Sequence, residues 1–197
     1  MRMRTVVGAL CALGAAFALS LGGNSLIAQQ PPPCDFVTGG GFIINPTTAG
    51  GSGTFGVAGG CKNGSGTGTP PLPFFGHLEY DDHAVGIKVH STLITAYLQD
   101  TLLFDPDARL ICGTAKANAD DVNFVVRVKD GGEPSVNDQF DIIIALTTNP
   151  TAPMYTTWTG TPHPLAGGNI QLHKPNGTST TGVFGGLCPA LGKPPDE

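Results

Sequence analysis

The sequence predicts an all-β fold, an antiparallel β-sandwich or related barrel of about eight or nine strands stapled by disulfides. Three observations predict it. Apolar residues alternate with polar ones at period two, or run continuously for strand-like lengths, with β-branched residues enriched. Turn dipeptides punctuate these stretches at Asn63-Gly64, Asp130-Gly131 and Asn176-Gly177. Beyond the first thirty residues, no window holds a helical period for three turns.

The chain opens with a stretch unlike the rest. Arg2 and Arg4 precede an apolar run from Thr5 to Leu21, and small and polar residues then lead to Ala28. That layout predicts a secretory signal peptide over 1–28, hence a secreted, extracellular or periplasmic protein. Cys11 follows Gly8-Ala9-Leu10, which is not the lipoprotein pattern. No later apolar segment is long enough to span a bilayer, so no membrane insertion is expected after cleavage. Residues 29–33 read as a proline-rich linker, 34–188 as a single β-rich domain, and 189–197 as a disordered tail.

Within the domain the expected strands are Phe36–Ile44, Thr54–Cys61, Gly76–Tyr80, Gly86–Leu98, Arg109–Ala115, Val122–Lys129, Gln139–Leu146, Met154–Trp158 and Asn169–His173. Parity assigns their faces. Phe124, Val126 and Val128 share one face while Arg127 and Lys129 take the other. Phe140, Ile142, Ile144 and Leu146 likewise share a face. Glycine and proline are abundant, 29 and 17 in the chain, and beyond the first thirty residues they read as turns and bulges of a β-rich protein. Residues 63–73 read as a flexible loop, and prolines keep 147–153 and 159–165 out of central strands.

Charge excludes some partners. The net charge is −5, no basic cluster is present, and loss of Arg2 and Arg4 on maturation makes the balance more acidic. Nucleic acid and anionic membrane surfaces are therefore not expected partners. The four cysteines past residue 28 are Cys34, Cys61, Cys112 and Cys188. An even count in an exported domain predicts two disulfides, and no CxxC pair supports zinc. Because Cys34 opens the domain and Cys188 closes it, the expected pairing is Cys34–Cys188 with Cys61–Cys112.

The segment His77-Leu78-Glu79-Tyr80-Asp81-Asp82-His83 is the first candidate site. In an extended chain Leu78 and Tyr80 face the core, leaving His77, Glu79 and Asp81 in a row that His83 can extend. Lys88 and His90 share parity on the next strand, so a hairpin brings His90 toward that row. Imidazole with carboxylate suits a transition metal, while a solvated face of cross-strand ion pairs is the simpler reading. The second candidate is the loop from Asp130 to Asp138. Asp130, Glu133, Asn137 and Asp138 supply the hard oxygen donors that calcium takes, but their spacing fits no EF-hand. Asp and Asn also stabilise turns through the local backbone, so a turn is expected and calcium is the alternative. No other cofactor is expected.

Nucleophilic catalysis finds no support. Ser91, Ser135 and Ser179 lack a nucleophile elbow, and His163 lies between prolines in a loop expected to be rigid. Tyr155, Trp158 and Phe74-Phe75 flank loops where a sugar-stacking platform is conceivable, although such aromatics are more often core edges. Asn63-Gly64-Ser65 and Asn176-Gly177-Thr178 fit the glycosylation sequon, relevant only to a glycosylating secretory pathway.

Several segments occur in a recognisable order: Val37-Thr38-Gly39-Gly40-Gly41-Phe42-Ile43, Gly53-Thr54-Phe55-Gly56-Val57, and Gly76 to His83 followed by Lys88-Val89-His90. Val126 to Pro134 then leads to Asp138-Gln139-Phe140-Asp141-Ile142, and Gly167 to Pro175 closes the series. This order resembles the post-choice-of-anchor (post-COAP) domains of bacterial exported and surface proteins, from about Cys34 to Cys188. The resemblance implies a β-rich exported module, and it carries over no functional residue. No accompanying anchor domain and no sorting-type motif are read in this sequence, so wall attachment and adhesion are not expected. The resulting expectation is a non-enzymatic secreted or surface-associated module, meeting cell-surface or extracellular polymers. Its rival is a metal-dependent hydrolase using His77, Glu79, Asp81 and His83.

Overall fold

A computed structural model describes residues 34–44, 51–62, 73–177 and 182–189. The expected signal peptide, the linker, the first sequon and most of the expected tail lie outside the described residues. No helix occurs among those described. The strands are β1 (Phe36–Ile44), β2 (Ser52–Cys61), β3 (Phe74–Asp82), β4 (Ile87–Gln99), β5 (Ala108–Ala117), β6 (Asp120–Lys129), β7 (Gln139–Leu146), β8 (Pro153–Thr156), β9 (Gly167–His173) and β10 (Gly185–Gly186). Nine match the sequence expectation within a few residues. The two-residue β10 has no apolar pattern that would have marked it.

All strands belong to one sheet, ordered β8-β7-β6-β5-β4-β3-β2-β1-β9, with β10 on the side of β4. Every pairing is antiparallel. The architecture is therefore the barrel-related form of the expected class, a curled half-barrel of one sheet. Short turns join β3 to β4, over residues 83–86, and β5 to β6, over residues 118–119. The β5–β6 hairpin turns on Asn118, which adopts φ 53°, a conformation that asparagine tolerates better than most side chains.

The curl places apolar side chains from distant strands against one another. Phe55 of β2 stacks on Phe140 of β7 at 3.9 Å between ring centroids. Val37, Leu78, Val89, Ile111, Phe124, Val126, Ile142 and Ile170 fill the same interior. The predicted parity holds on β6 and β7, whose inward residues are buried except the half-buried Leu146 at the end of β7. Tyr80 and Tyr155 bring hydroxyls into this core, where they bond each other at 2.6 Å and Tyr155 donates to Asp82 at 2.6 Å. Burial pushes both phenols above their ordinary range.

A smaller apolar cluster covers the opposite face of β4–β7. It comprises Ala96, Leu110, Cys112, Val125, Ile143, Ala145 and Trp158. This corrects the cysteine pairing: the disulfides are Cys34–Cys61 and Cys112–Cys188, with Cα separations of 5.9 and 5.2 Å. Parity explains why. Cys61 points into the interior with Phe55 and Val57, whereas Cys112 points outward with Leu110. They belong to opposite faces of non-adjacent strands and cannot meet. The β1–β2 pairing instead lays the start of β1 beside the end of β2, bringing Cys34 to Cys61. Cys188 follows β10, whose seat on β4 delivers it to Cys112 on the neighbouring strand.

The two sides of β4 differ along its length. Its ladder with β3 runs from Asp82↔Ile87 to Glu79↔His90 and stops there. Beyond that point the strands part, and Ser91 Oγ accepts the Leu78 N–H at 2.9 Å. Farther along, β10 pairs with Ala96 and Tyr97. The fork between β3 and β4 opens at Glu79 and His90.

Candidate functional site

The outer face of β4–β7 is closed by its apolar cluster. Between Arg127, Asp141 and Trp158 there remains about 10 Å³, room for roughly one water molecule. The outer face of β1–β3 and the first part of β4 is different. Gly40 and Gly56 lie opposite each other there, and nothing stands within 4 Å of a Cβ built on Gly56. The result is a groove of about 330 Å³, floored by Gly56 and the backbone of Phe55 and Tyr80, with Thr54, Glu79, Asp81 and Lys88 as walls.

The row predicted on β3 forms, with His77, Glu79 and Asp81 on the face opposite Leu78 and Tyr80. The hairpin brings Lys88 and His90 onto that face as expected, with Glu79 directly opposite His90 and Asp81 opposite Lys88. The row then divides into two groups. In the first, Glu79 Oε1 lies 3.3 Å from His77 Nε2 and also meets His90 Nδ1. In the second, Asp81 Oδ2 accepts from Lys88 Nζ at 2.7 Å. His83 Nε2 contacts Thr54 Oγ1 at 3.0 Å, and its Nδ1 is 3.7 Å from Asp81. Asp81 and His83 are thus not joined to His77, Glu79 and His90. His173 reaches this outer face too, stacked on Phe36 and bonded to Thr38 Oγ1 at 2.8 Å. Four of the five histidines therefore lie on one half of the sheet.

The Asp130–Asp138 loop lies along the free edge of β9. Asp138 Oδ2 accepts the Ile170 N–H at 2.6 Å and Oδ1 accepts that of Gly131 at 2.8 Å. Asp130 accepts the N–H groups of Leu172 at 2.7 Å and Gly132 at 2.8 Å. Glu133 accepts from the amides of Asn169 and Gln171. Three of the four calcium candidates are thus turned toward donors, two of them holding the free edge of β9. Asn137 packs its backbone against Gly131. The loop contains turns, and its carboxylates have a long-range role that local turn chemistry does not suggest. Edge strands need such cover, because unpaired N–H groups invite another chain.

The aromatic platform considered from sequence does not assemble on one surface. Phe74 and Tyr155 belong to the interior, and Trp158 belongs to the outer cluster of β4–β7.

Sequence reasoning set His163 aside as a loop residue and did not join it to Asp141. His163 Nδ1 lies 2.6 Å from Asp141 Oδ1, its backbone N–H donates to Oδ2, and Thr157 donates to Oδ1. Burial raises the Asp141 carboxyl, His163 pulls it back, and the outcome is a pKa pushed up to about 6. The signal that was available is proximity in topology, since residues 159–165 return alongside β7 after the short β8. The raised pKa has a stability consequence. The protonated form is favoured by the fold, so Asp141 contributes most below the unfolded value near pH 3.9 and loses that contribution as pH rises through about 6. Urea unfolding of the wild type and Asp141→Asn should show the wild type losing about 2–3 kcal/mol relative to the variant between about pH 4 and 7. A pH-independent difference would contradict this assignment.

Comparison with family models, curated proteins and solved structures returned no match to this chain.

Proposed function

We propose that this is a non-enzymatic exported module that holds an extracellular or cell-surface polymer in the groove over Gly56. The groove itself carries the proposal: at about 330 Å³ it has the size of a ligand site, with polar walls on a rigid sheet. Carboxylates and an ammonium group beside a glycine floor suit a hydroxyl-rich chain, such as a polysaccharide, that hydrogen-bonds at its edges. The disulfides fit an oxidising extracellular or periplasmic environment. The resemblance to post-choice-of-anchor domains supports the same reading. A hydrolase built on the predicted row would need Asp81 and His83 beside His77 and Glu79, yet these two engage Lys88 and Thr54.

Gly56→Trp tests the proposal. The new side chain enters open space at a position without positive φ, so the melting temperature should stay within about a degree or two of wild type. Retention on a panel of immobilised extracellular polysaccharides and peptidoglycan should be lost. Equal retention of Gly56→Trp and wild type on the same polymer would remove the groove from consideration.

A further inference from the structure

We propose that His77, Glu79 and His90 bind one divalent transition-metal ion of the zinc and copper class. The three donor atoms lie within 4.8 Å of one another. Glu79 Oε1 and His77 Nε2 are separated by 3.3 Å. Two ligands on one tetrahedral ion with bonds near 2.0–2.1 Å stand about 3.3 Å apart, so this pair already has the required spacing. His90 Nδ1 meets the same Glu79 oxygen from the neighbouring strand.

The backbone holds the set in place while leaving the side chains adjustable. Glu79 and His90 are directly opposed on antiparallel strands, and His77 is two residues from Glu79 on the same face. The ladder ends at this pair, so the imidazoles stand at an open fork and about half of each side chain is exposed. Small rotations then suffice to bring the third donor to bonding distance. The nearest cation across the strand, Lys116, faces His90 in register but is directed to Asp121 at 2.8 Å. Two imidazole nitrogens and one carboxylate suit zinc, copper or nickel, and disfavour calcium and magnesium, which take oxygen ligands. Three protein ligands leave at least one coordination position for a donor from outside the protein.

The inference concerns the same outer face as the proposed polymer groove but does not depend on polymer binding. Calorimetric titration of the metal-free, disulfide-bonded protein with Zn²⁺ should give one ion per chain. His77→Ala and His90→Ala each remove a direct ligand and should weaken binding by at least about a hundredfold, the most that losing an outer-shell contact costs. His173→Ala, on the same outer face but bonded to Thr38, should leave affinity unchanged. With Cu²⁺, electron paramagnetic resonance should report two nitrogen ligands in wild type and one in each of the His77→Ala and His90→Ala variants. His77 and His90 lie at exposed positions, so circular dichroism should show both of these variants folded. Absence of Zn²⁺ binding at millimolar ion, or undiminished binding in the His77→Ala/His90→Ala double variant, would overturn the site. Retention of polymer by that double variant would leave the groove reading intact and separate the two proposals.

Discussion

Val126→Asp should leave no folded protein at 25 °C. Val126 is fully buried on the inner face of β6, opposite Ile111 on β5 and Ile142 on β7. A carboxylate there loses its hydration, and those two partners in register are hydrocarbon. The cost is several kcal/mol, against a total stability of about 5–15 kcal/mol for a domain. Far-ultraviolet circular dichroism and urea titration of the purified variant provide the measurement. A cooperative transition near that of the wild type would mean that the inner face is not where parity places it.

Arg109→Met is expected to destabilise by about 3–5 kcal/mol, through the charge it abandons. The Arg109 guanidinium pairs with the Asp35 carboxylate, donates to the carbonyls of Pro106 and Ala108 at 2.7 Å, and lies 5.4 Å from the Phe184 ring centre. Tyr97 donates to the same carboxylate at 2.8 Å. Without the arginine, Asp35 remains nearly buried with the tyrosine hydroxyl as its principal donor. Adding Asp35→Ala to Arg109→Met should recover part of the loss, since the orphaned charge goes with it. Equilibrium unfolding of the two single variants and the double variant gives the coupling energy, and a value near zero would contradict the pairing.

The strands and their faces were legible because period two acts locally. On β6 the alternation of Phe124, Val126 and Val128 with Arg127 and Lys129 requires knowledge of no other strand. The row His77, Glu79, Asp81 was legible for the same reason, and the hairpin to Lys88 and His90 follows from a short turn. Its division into two groups was not, because that depends on where the β3–β4 ladder stops and on Thr54 from β2. The disulfides show a missed signal. Cys34 stands just before one strand and Cys61 ends the next, and adjacent antiparallel strands place such positions together. Choosing pairs by the chain's ends ignored that geometry. The partners of Asp130 and Asp138 lay beyond local reasoning altogether, since the amides they hold are 42 and 32 residues away.

The seating of β9 on β1 joins Phe36 to His173, and this has a kinetic consequence. The β1–β2 hairpin closes a loop from Ile44 to Ser52, whereas β1 with β9 closes one from Phe42 to Gly167. Loop-closure entropy makes the second about 2–3 kcal/mol more expensive before any contact compensates. The interior contributed by Ile170, and the amides that Asp130 and Asp138 hold, form only after that closure. A nascent chain must therefore remain incomplete until residue 173 is available. Refolding should fall in the slow range of sheet proteins rich in non-local pairings, milliseconds to seconds, with β9 docking late.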